Sequence, residues 1–335
     1  MKAVVSAPEL TPVVLPARTI EPPATISVAA RAALAESARV PPMSRPAVDD
    51  LEGWRRAKEA SEAFWEPLVG QMLAACRCRI DTECISGVTT YRCTPAEAND
   101  PTQPLYLYFH GGALVFGAGR FAMALGAKAA DELGLTTLSV DYRTPPSAPF
   151  PAALEDGVAV YRELLAGAAG RRIVIGGSSA GGNLAAAVTL VIRDRGLPPP
   201  AAVVLLTPEV DLTEAGDTFR TNELLDVTLK SGLPECNALY AGGHALTDPY
   251  LSPLFADFAA GFPPTLIQSG TRDLFLSNSV LIHRKLRRAG IEAELHVWEA
   301  MPHGGFGFGA VPENAEIGQE VRHFIARHCA RRKNP

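Results

Sequence analysis

Residues 173–183 read IVIGGSSAGGN, a short apolar run followed by small residues, and this stretch decides the fold. The apolar run predicts a buried strand, and the residues after the glycines favour a helix. Gly177 and Gly181 flank Ser179 in the pattern G-x-S-x-G, in which a strand turns so sharply into a helix that no side chain fits beside the serine. Such a turn holds the Ser179 hydroxyl clear of the backbone at the positive end of the helix dipole, and Ser178 does not take that place. A glycine-rich turn in a nucleotide-binding fold has the same local pattern, so both interpretations stay open at this point.

On either side of this stretch, apolar runs alternate with stretches of helical spacing. Strands are predicted at 105–109, 136–141, 173–176, 202–206, 265–269 and 293–297. Helices are predicted at 121–133, 152–165, 183–195, 277–288 and 313–331. Strands that alternate with helices are typical of a mainly parallel sheet with helices on both faces, so the sequence predicts an α/β fold.

The rest of the chain predicts additions to one catalytic domain, which we place at 77–335. Residues 208–263 are longer than an ordinary crossover and rich in Pro, Gly and acidic residues, which predicts a cap insertion. Residues 1–76 are predicted to be an N-terminal arm with cap helices, a short one at 28–37 and an amphipathic one at 49–75. The proline-rich part of the arm is expected to be poorly ordered. The amphipathic helix either packs on the domain or forms half of a lid, and the sequence leaves both roles open.

The composition excludes some functions. With 20% charged residues and a formal net charge of −5, the chain lacks the basic field that draws proteins to nucleic acid or anionic membranes, so a small neutral substrate is expected. The six cysteines form no CxxC pair and no zinc-like spacing with histidine, and we expect free structural thiols and no metal site. Pro8 and Pro12 interrupt the apolar start of the chain, so we expect neither a signal peptide nor a membrane span, and a cytoplasmic location.

A second glycine-rich loop follows the predicted strand at 105–109. Residues 109–113 read FHGGA and resemble a loop whose backbone N–H groups bind the oxyanion of a reacting carbonyl. Only small residues let backbone donors approach so closely, and the residue after the serine, Ala180, supplies a further donor. We expect His110 to brace this loop through hydrogen bonds and not to act as a base. The predicted oxyanion residues are Gly111, which provides the turn, Gly112, Ala113 and Ala180.

A serine hydroxyl needs a base to take its proton, and His303 is the best candidate among the seven histidines. In enzymes with such a serine turn the chain order is Ser, then Asp or Glu, then His on a loop after the last strand. His303 lies in a glycine-flanked loop directly after the strand predicted at 293–297. By contrast, His296 lies inside that strand, and His323 and His328 lie in the last helix.

The acid that orients the base should follow the preceding strand. Asp273 ends the run GTRD, which follows the strand predicted at 265–269 without a gap. The alternative role for Asp273 is an N-cap of the next helix. Asp248 and Asp257 fall in the predicted insertion, and Glu299 lies only four residues before the histidine, so we prefer Asp273.

Taken together, these stretches resemble the bacterial hormone-sensitive-lipase-like esterases. The likeness spans about 105–306 and rests on 110–112, 141–143 leading to 149–156, 177–183, and 270–273 with His303. The resemblance implies the α/β-hydrolase fold with an eight-stranded sheet, a Ser179–His303–Asp273 triad, and no cofactor. It also implies a serine carboxylesterase that hydrolyses short-chain acyl esters beneath a helical cap, and it allows a homodimer. Candidates to line the pocket are Trp54, Phe64, Trp65, Phe219 and Tyr240.

The sequence departs from the family pattern at three places. Ala113 replaces the usual third glycine, 144–146 read TPP where a supporting glutamate is common, and Ser178 replaces an Asp or Thr. None of these changes removes a catalytic atom. Two alternatives to the carboxylesterase stay open: a lactone hydrolase that uses the same triad, and a non-catalytic ligand receptor on the same fold. The presence of His303 argues against the receptor, because the receptors of this family have lost that histidine.

Overall fold

The computed structural model describes residues 12–42, 45–96, 98, 100, 102–167 and 171–330. The strands are β1 Arg79–Ile85, β2 Val88–Thr94, β3 Leu105–Phe109, β4 Thr137–Val140, β5 Ile173–Ser178, β6 Ala202–Leu206, β7 Thr265–Gly270 and β8 Ala293–Trp298. The helices are α1 Val28–Ser37, α2 Leu51–Ala75, α3 Arg120–Leu133, α4 Ala152–Gly167, α5 Ala180–Asp194, α6 Thr218–Thr221, α7 Pro234–Ala241, α8 Leu276–Arg288 and α9 Pro312–Cys329. A short 3₁₀ turn spans Pro253–Phe255. The predicted arm before residue 12 and the predicted last residue of α9, Arg331, lie outside the described residues.

The strands form one eight-stranded sheet in the order β1-β2-β4-β3-β5-β6-β7-β8. β1 pairs with β2 and β2 with β4 in antiparallel fashion, and the other pairs are parallel. The predicted α/β-hydrolase sheet is thereby confirmed. The strand order reverses between β3 and β5, and open α/β sheets bind their ligands outside the carboxyl ends of the strands at such a point. The two glycine-rich loops predicted to be functional follow these two strands.

Alternate side chains along each strand face opposite layers of helices, as the two-residue period of a strand requires. On one face, Leu107, Ile175 and Val203 belong to the core shared with α4, α5 and α8. On the other face, Tyr106 and Val174 belong to a second core shared with α3 and α9. Because both faces are covered, the central strands read as continuous apolar runs, which is why the sequence revealed them.

The boundary between β5 and α5 differs from the prediction. The strand continues to Ser178 and the helix begins at Ala180, three residues before the predicted start at 183. A single residue, Ser179, makes the turn with φ of 59° and ψ of −123°. Because one residue reverses the chain direction, no loop separates the two elements.

The segment between α1 and α2 is bound to the predicted insertion. Arg45 donates hydrogen bonds to the Gly232 carbonyl and to the Ser231 hydroxyl, the latter over 2.8 Å. The Lys230 ammonium donates to the carbonyls of Ala38 and Val40 over 2.9 and 2.7 Å. The two parts of the predicted cap therefore contact each other across almost two hundred residues of sequence.

α2 lies against α3 at the carboxyl edge of the sheet, and α1 packs on α9.

Within the described ranges, no helix is both long and apolar enough to span a membrane. All six cysteines carry free thiols in this structure.

Candidate active site

Ser179 occupies a sharp turn that leaves its hydroxyl free. Its φ of 59° lies in the left-handed region that L-residues avoid, and its amide donates a 2.8 Å hydrogen bond to the Leu206 carbonyl of the neighbouring strand β6. Ser179 stands at the N-cap of α5, yet its side chain makes no capping hydrogen bond. The hydroxyl is thus available at the positive end of a fifteen-residue helix.

The two glycines of the G-x-S-x-G pattern are required by close backbone contacts. A Cβ at Gly177 would lie 2.2 Å from the Gly181 carbonyl oxygen, and a Cβ at Gly181 would lie 2.0 Å from the Phe109 carbonyl oxygen. Real Cβ atoms do not approach backbone oxygens so closely. The strand, the turn and the first helical residues therefore pack directly on the end of β3, which brings the two glycine-rich loops together.

The structure brings Ser179, His303 and Asp273 into one hydrogen-bonded chain. The Nε2 atom of His303 lies 2.7 Å from the Ser179 Oγ, and its Nδ1 lies 3.0 Å from an Asp273 carboxylate oxygen. A carboxylate only accepts, so Nδ1 carries the proton and Nε2 is free to accept from the serine hydroxyl. The arrangement has the geometry of a nucleophile, a base and an orienting acid.

Asp273 is fully buried and is fixed on both carboxylate oxygens. One oxygen also accepts a hydrogen bond from the Phe275 amide over 2.9 Å, and the other accepts from the Ser269 hydroxyl over 2.6 Å. The Asn222 amide group donates to the Asp273 carbonyl over 2.9 Å and so ties the acid loop to the insertion. The Asp273 side chain thus reaches His303 and also caps the turn before α8.

The rival residues lie elsewhere. Asp248 and Asp257 each accept a hydrogen bond from an amide two residues further on, within turns of the insertion. Glu299 is exposed to solvent. His296 lies near Glu294 at the outer strand β8.

Two carboxylates adjust the proton affinity of His303. Burial by itself lowers the pKa of His303, but the hydrogen bond and charge of Asp273, together with the charge of Asp226, raise the pKa above its ordinary value of 6.5. The edge of the Phe275 ring faces the imidazole at a centroid distance of 4.7 Å and restricts its orientation. The imidazole is thus held in place, and both carboxylates favour its protonated form.

Asp226, a residue of the insertion that the sequence did not single out, is buried behind the His303 and Asp273 loops. One of its oxygens accepts from the amides of Leu274 and His303 over 2.8 and 3.1 Å. The other accepts from the amides of Thr228 and Leu229, each over 3.0 Å. Burial raises the pKa of Asp226 to about 6, against the opposing effect of His303. This carboxylate therefore joins the insertion to the loops that carry both the base and the acid.

Asp226, Asp273 and His303 are also the one group of potential metal ligands that the described part of the chain brings close together. All three side chains are buried and are already engaged in the hydrogen bonds given above. The cluster is thus held together by hydrogen bonds among protein groups.

The loop after β3 lies against the serine turn. An ideal Cβ on Gly111 would lie 3.2 Å from the Ser178 carbonyl oxygen and 3.5 Å from the Ser179 Cβ. Gly112 has a φ of 131°, and a Cβ there would lie 2.2 Å from the Phe116 carbonyl oxygen, so glycine is required. Ala113 follows in the left-handed region with a φ of 54°.

Ala180 lies on the other side of the same turn. As the first residue of α5, it has an amide that no carbonyl of the helix can accept. Of the predicted oxyanion donors, Ala180 thus adjoins the serine, and Gly112 and Ala113 line the same cavity as Ser179.

His110 braces this loop, as predicted. Its Nδ1 lies 2.8 Å from the Gly111 carbonyl oxygen, and its ring stacks on Tyr142 at 4.1 Å with an interplanar angle of 7°. The Tyr142 hydroxyl in turn donates to the His110 carbonyl over 2.8 Å. Burial lowers the pKa of His110 to about 4, although the Gly111 carbonyl and the charge of Asp141 oppose the shift. The neutral ring is a fixed support for the loop.

Residues 144–146, where the sequence departs from the family pattern, contact α2. The Lys58 ammonium donates to the Thr144 hydroxyl over 2.7 Å and to the Pro145 carbonyl over 3.1 Å. Burial lowers the pKa of Lys58, while Glu62 and Asp141 oppose the shift. The segment after β4 therefore holds α2 in position.

Ser179 and His303 open into a cavity of about 700 Å³, a size that suits a small-molecule ligand. α2 contributes Trp65 and Val69 to its wall. Of the five predicted lining residues, Trp65 alone is found in the wall. Trp54 and Phe219 lie in a buried cluster with Ala113 and Phe116, Tyr240 lies in the main core, and Phe64 is half exposed. Helical spacing identified an apolar face of α2 but not what that face contacts.

The chain is similar to known proteins in both sequence and fold. Residues 106–307 match the model of a family described as alpha/beta hydrolase fold. An acetyl-hydrolase of Streptomyces hygroscopicus is 34% identical over 223 residues, which make up 64% of this chain and 73% of that protein.

Two solved structures are similar over almost their full length. The crystal structure of an esterase named E25 has a TM-score of 0.86 and 31% identity, and the match covers 95% of this chain and 99% of the other. An esterase from the bacterial hormone-sensitive lipase family has a TM-score of 0.77 and 31% identity, with coverage of 91% and 99%.

Proposed function

This chain belongs to the alpha/beta hydrolase family and is an ester hydrolase, and from that premise we propose that it is a serine carboxylesterase for short-chain acyl esters. The observation that carries the proposal is the continuous hydrogen-bonded chain from Asp273 through His303 to Ser179, with distances of 3.0 and 2.7 Å. The same three residues are the proposed catalytic residues.

In the first half of the reaction, the Ser179 Oγ attacks the ester carbonyl carbon while the Nε2 of His303 takes the hydroxyl proton. Asp273 stabilises the imidazolium through the bond to Nδ1. The tetrahedral intermediate then collapses, the bond to the alcohol breaks, and His303 returns the proton to the leaving oxygen. The product is an ester of Ser179 with the acyl group.

The developing oxyanion is bound by the amides of Gly112, Ala113 and Ala180, with Gly111 forming the turn that presents them. Support comes from the close contact of Gly111 with the serine turn and from the free first amide of α5. Loss of one such donor typically costs about 3 kcal/mol of transition-state stabilisation. A hydrogen bond and stacking on Tyr142 hold the His110 ring in the loop. Because burial keeps this ring neutral, it places no charge near the oxyanion.

In the second half, water attacks the acyl carbonyl carbon while the Nε2 of His303 accepts a proton from it. The bond between that carbon and the Ser179 Oγ then breaks, His303 returns the proton to Oγ, and the carboxylic acid leaves. We assign Asp226 a positioning role in both halves, because it holds the amide of His303 itself and that of Leu274, next to Asp273. Its charge adds to that of Asp273 in favouring the imidazolium.

We further propose the division of the chain into an arm with cap helices at 1–76 and a catalytic domain at 77–335 with the cap insertion at 208–263. The hydrogen bonds of Arg45 and Lys230 between the two cap parts support it. So do the α2 residues in the cavity wall. The cytoplasmic location and the homodimer stay predictions from the sequence.

The test is hydrolysis of p-nitrophenyl esters from acetyl to dodecanoyl and of a lactone set, with the wild type and Ser179→Ala side by side. We expect the wild type to hydrolyse acyclic esters and the variant to lose at least about 10³-fold in kcat, the scale of triad removal. Hydrolysis confined to lactones would favour the lactone hydrolase, and equal rates in the two proteins would overturn the serine mechanism.

A further inference from the structure

The cavity at Ser179 does not end beneath α2 but continues between α3, α9 and the sheet. Its walls beyond the serine are formed by Leu125 of α3, Leu206 of β6, and Ile317 and Val321 of α9. Tyr106 forms part of the floor, with its hydroxyl lying where a side chain on Gly176 would have to be. We refer to this part of the cavity as the inner channel. It lies over the sheet face opposite to α5.

The inner channel exists because two positions lack side chains. Gly318 of α9 faces it, and a Cβ there would meet nothing nearer than the Glu132 Cβ at 3.9 Å, an ordinary contact. A Cβ at Gly176 would lie 2.1 Å from the Tyr106 hydroxyl oxygen, so glycine there leaves room for the Tyr106 ring against β5. Larger residues at these two places would close the space.

The dimensions of the inner channel fit an extended chain. On α9 its lining runs from Asn314 to Val321, seven helical steps that span roughly 10 Å at the helical rise. Its outer end is marked by Lys128 and Glu132, which form an ion pair on α3. Gln268, a polar residue of the wall, donates its amide to the Ile317 carbonyl over 3.3 Å and so links β7 to α9.

We propose that the inner channel binds an unbranched aliphatic chain of the ester, and that it thereby determines which chain lengths are hydrolysed. The proposal rests on the function proposed above, since it concerns the same serine site. The side chains that form the walls are mainly apolar until the Lys128–Glu132 pair, so methylene groups leave water there without displacing a charge. Each buried methylene is worth roughly four-fold in kcat/KM. The aliphatic chain comes either from the acyl side or from the alcohol side of the ester, and substrates distinguish the two.

The test narrows the inner channel by a substitution on α9. Gly318→Leu places a branched apolar side chain in the inner channel, and Leu is a better helix former than Gly, so the helix is not weakened. Ala315→Leu is the matched control, because it adds the same side chain to the exposed face of the same helix. Leu125→Phe fills the inner channel from the opposite wall and serves as a second variant if Gly318→Leu does not fold.

Two substrate series are compared by kcat/KM: p-nitrophenyl acetate, butanoate and octanoate for the acyl side, and ethyl, butyl and octyl acetate for the alcohol side. In one series the ratio of the octyl-length to the two-carbon substrate should fall by about ten-fold or more in Gly318→Leu and in Leu125→Phe, but not in Ala315→Leu. The series that responds identifies the side of the ester that the channel holds.

An unchanged ratio in both series, in channel variants whose unfolding temperature matches the wild type, would overturn the proposal. A fall shared by the short and long substrates would do the same, since it reports damage to the serine site. If the wild type hydrolyses no ester at all, the proposed function itself is wrong. If it hydrolyses them with ratios that the channel variants do not alter, the channel proposal alone fails.

Discussion

Replacing Asp226 by Asn should separate the positioning of the triad from its chemistry. The carboxylate accepts four amide hydrogen bonds, two on each oxygen, from Thr228, Leu229, Leu274 and His303. Asn has nearly the same shape but only one acceptor oxygen, so its NH₂ group must face two amide donors. A buried donor left unpaired costs about 1–3 kcal/mol, so with two such donors the variant should lose about 2–6 kcal/mol in the free energy of unfolding.

The activity of Asp226→Asn should fall through kcat more than through KM. A displacement of about 1 Å in a catalytic group can cost about 100-fold, and the His303 amide is one of the groups released. The loss of the negative charge also lowers the pKa of His303, which Asp226 helps to raise. The acid limb of the kcat/KM profile should therefore move to lower pH, an effect that a purely structural weakening does not produce.

The assay measures kcat, KM and the pH profile of the variant with p-nitrophenyl butanoate, and urea unfolding in parallel. Asp211→Asn is the control, because it removes a buried carboxylate of the same insertion whose hydrogen bonds stay within its own turn. An Asp226→Asn variant with wild-type kcat and an unmoved acid limb would refute the positioning role.

Two further predictions concern pH and buried charge. In the wild type, the acid limb of the kcat/KM profile should reach half of its maximum above pH 6.5, because His303 must be neutral to act and its pKa is raised above that value. The profile is measured in a series of stopped assays, and a midpoint below pH 6.5 would contradict the prediction. Glu209→Gln should raise the unfolding temperature more at pH 8 than at pH 5. Burial, helped by the charge of Glu214, raises the pKa of Glu209 from 4.5 to about 8. Between pH 4.5 and pH 8 the unfolded state therefore releases a proton that the folded state keeps, so the stability of the wild type falls as the pH rises. An equal gain at both pH values, measured by differential scanning fluorimetry, would show that Glu209 is not held neutral.

The sequence could predict the parts of the site that depend on local backbone constraints. Ser179 is flanked by glycines that close contacts with backbone oxygens require. Asp273 lies in the loop after the buried strand β7, and His303 lies in the loop after the outer strand β8. The carboxyl ends of neighbouring parallel strands meet at one edge, so residues on these loops are brought together by the topology alone. The helix predicted at 28–37 has the bounds of α1, and the structure shows that its first turn is capped locally, by the Ser27 side chain accepting from the Ala30 amide.

Other parts could not be predicted because they depend on how distant segments pack. Asp226 has one local signal, an Asp two residues before a Thr, which is typical of an ordinary turn. Its importance appears only when the His303 and Leu274 amides are seen to converge on it. Likewise, Trp54 was expected in the pocket wall but is fully buried against the oxyanion loop. The inner channel depends on the separation of α3 and α9 at Gly318, which no pattern along the chain encodes.

The most direct test of the account is whether Ser179 alone is the activated nucleophile. The protein is treated with a fluorophosphonate, and the adducts are measured by intact mass and located by peptide mass spectrometry. We expect a single adduct at Ser179 that forms together with the loss of esterase activity. Labelling should be much slower in His303→Ala, because the Ser179 hydroxyl then has no base to take its proton. An adduct on another residue, or full activity after complete labelling of Ser179, would contradict the account.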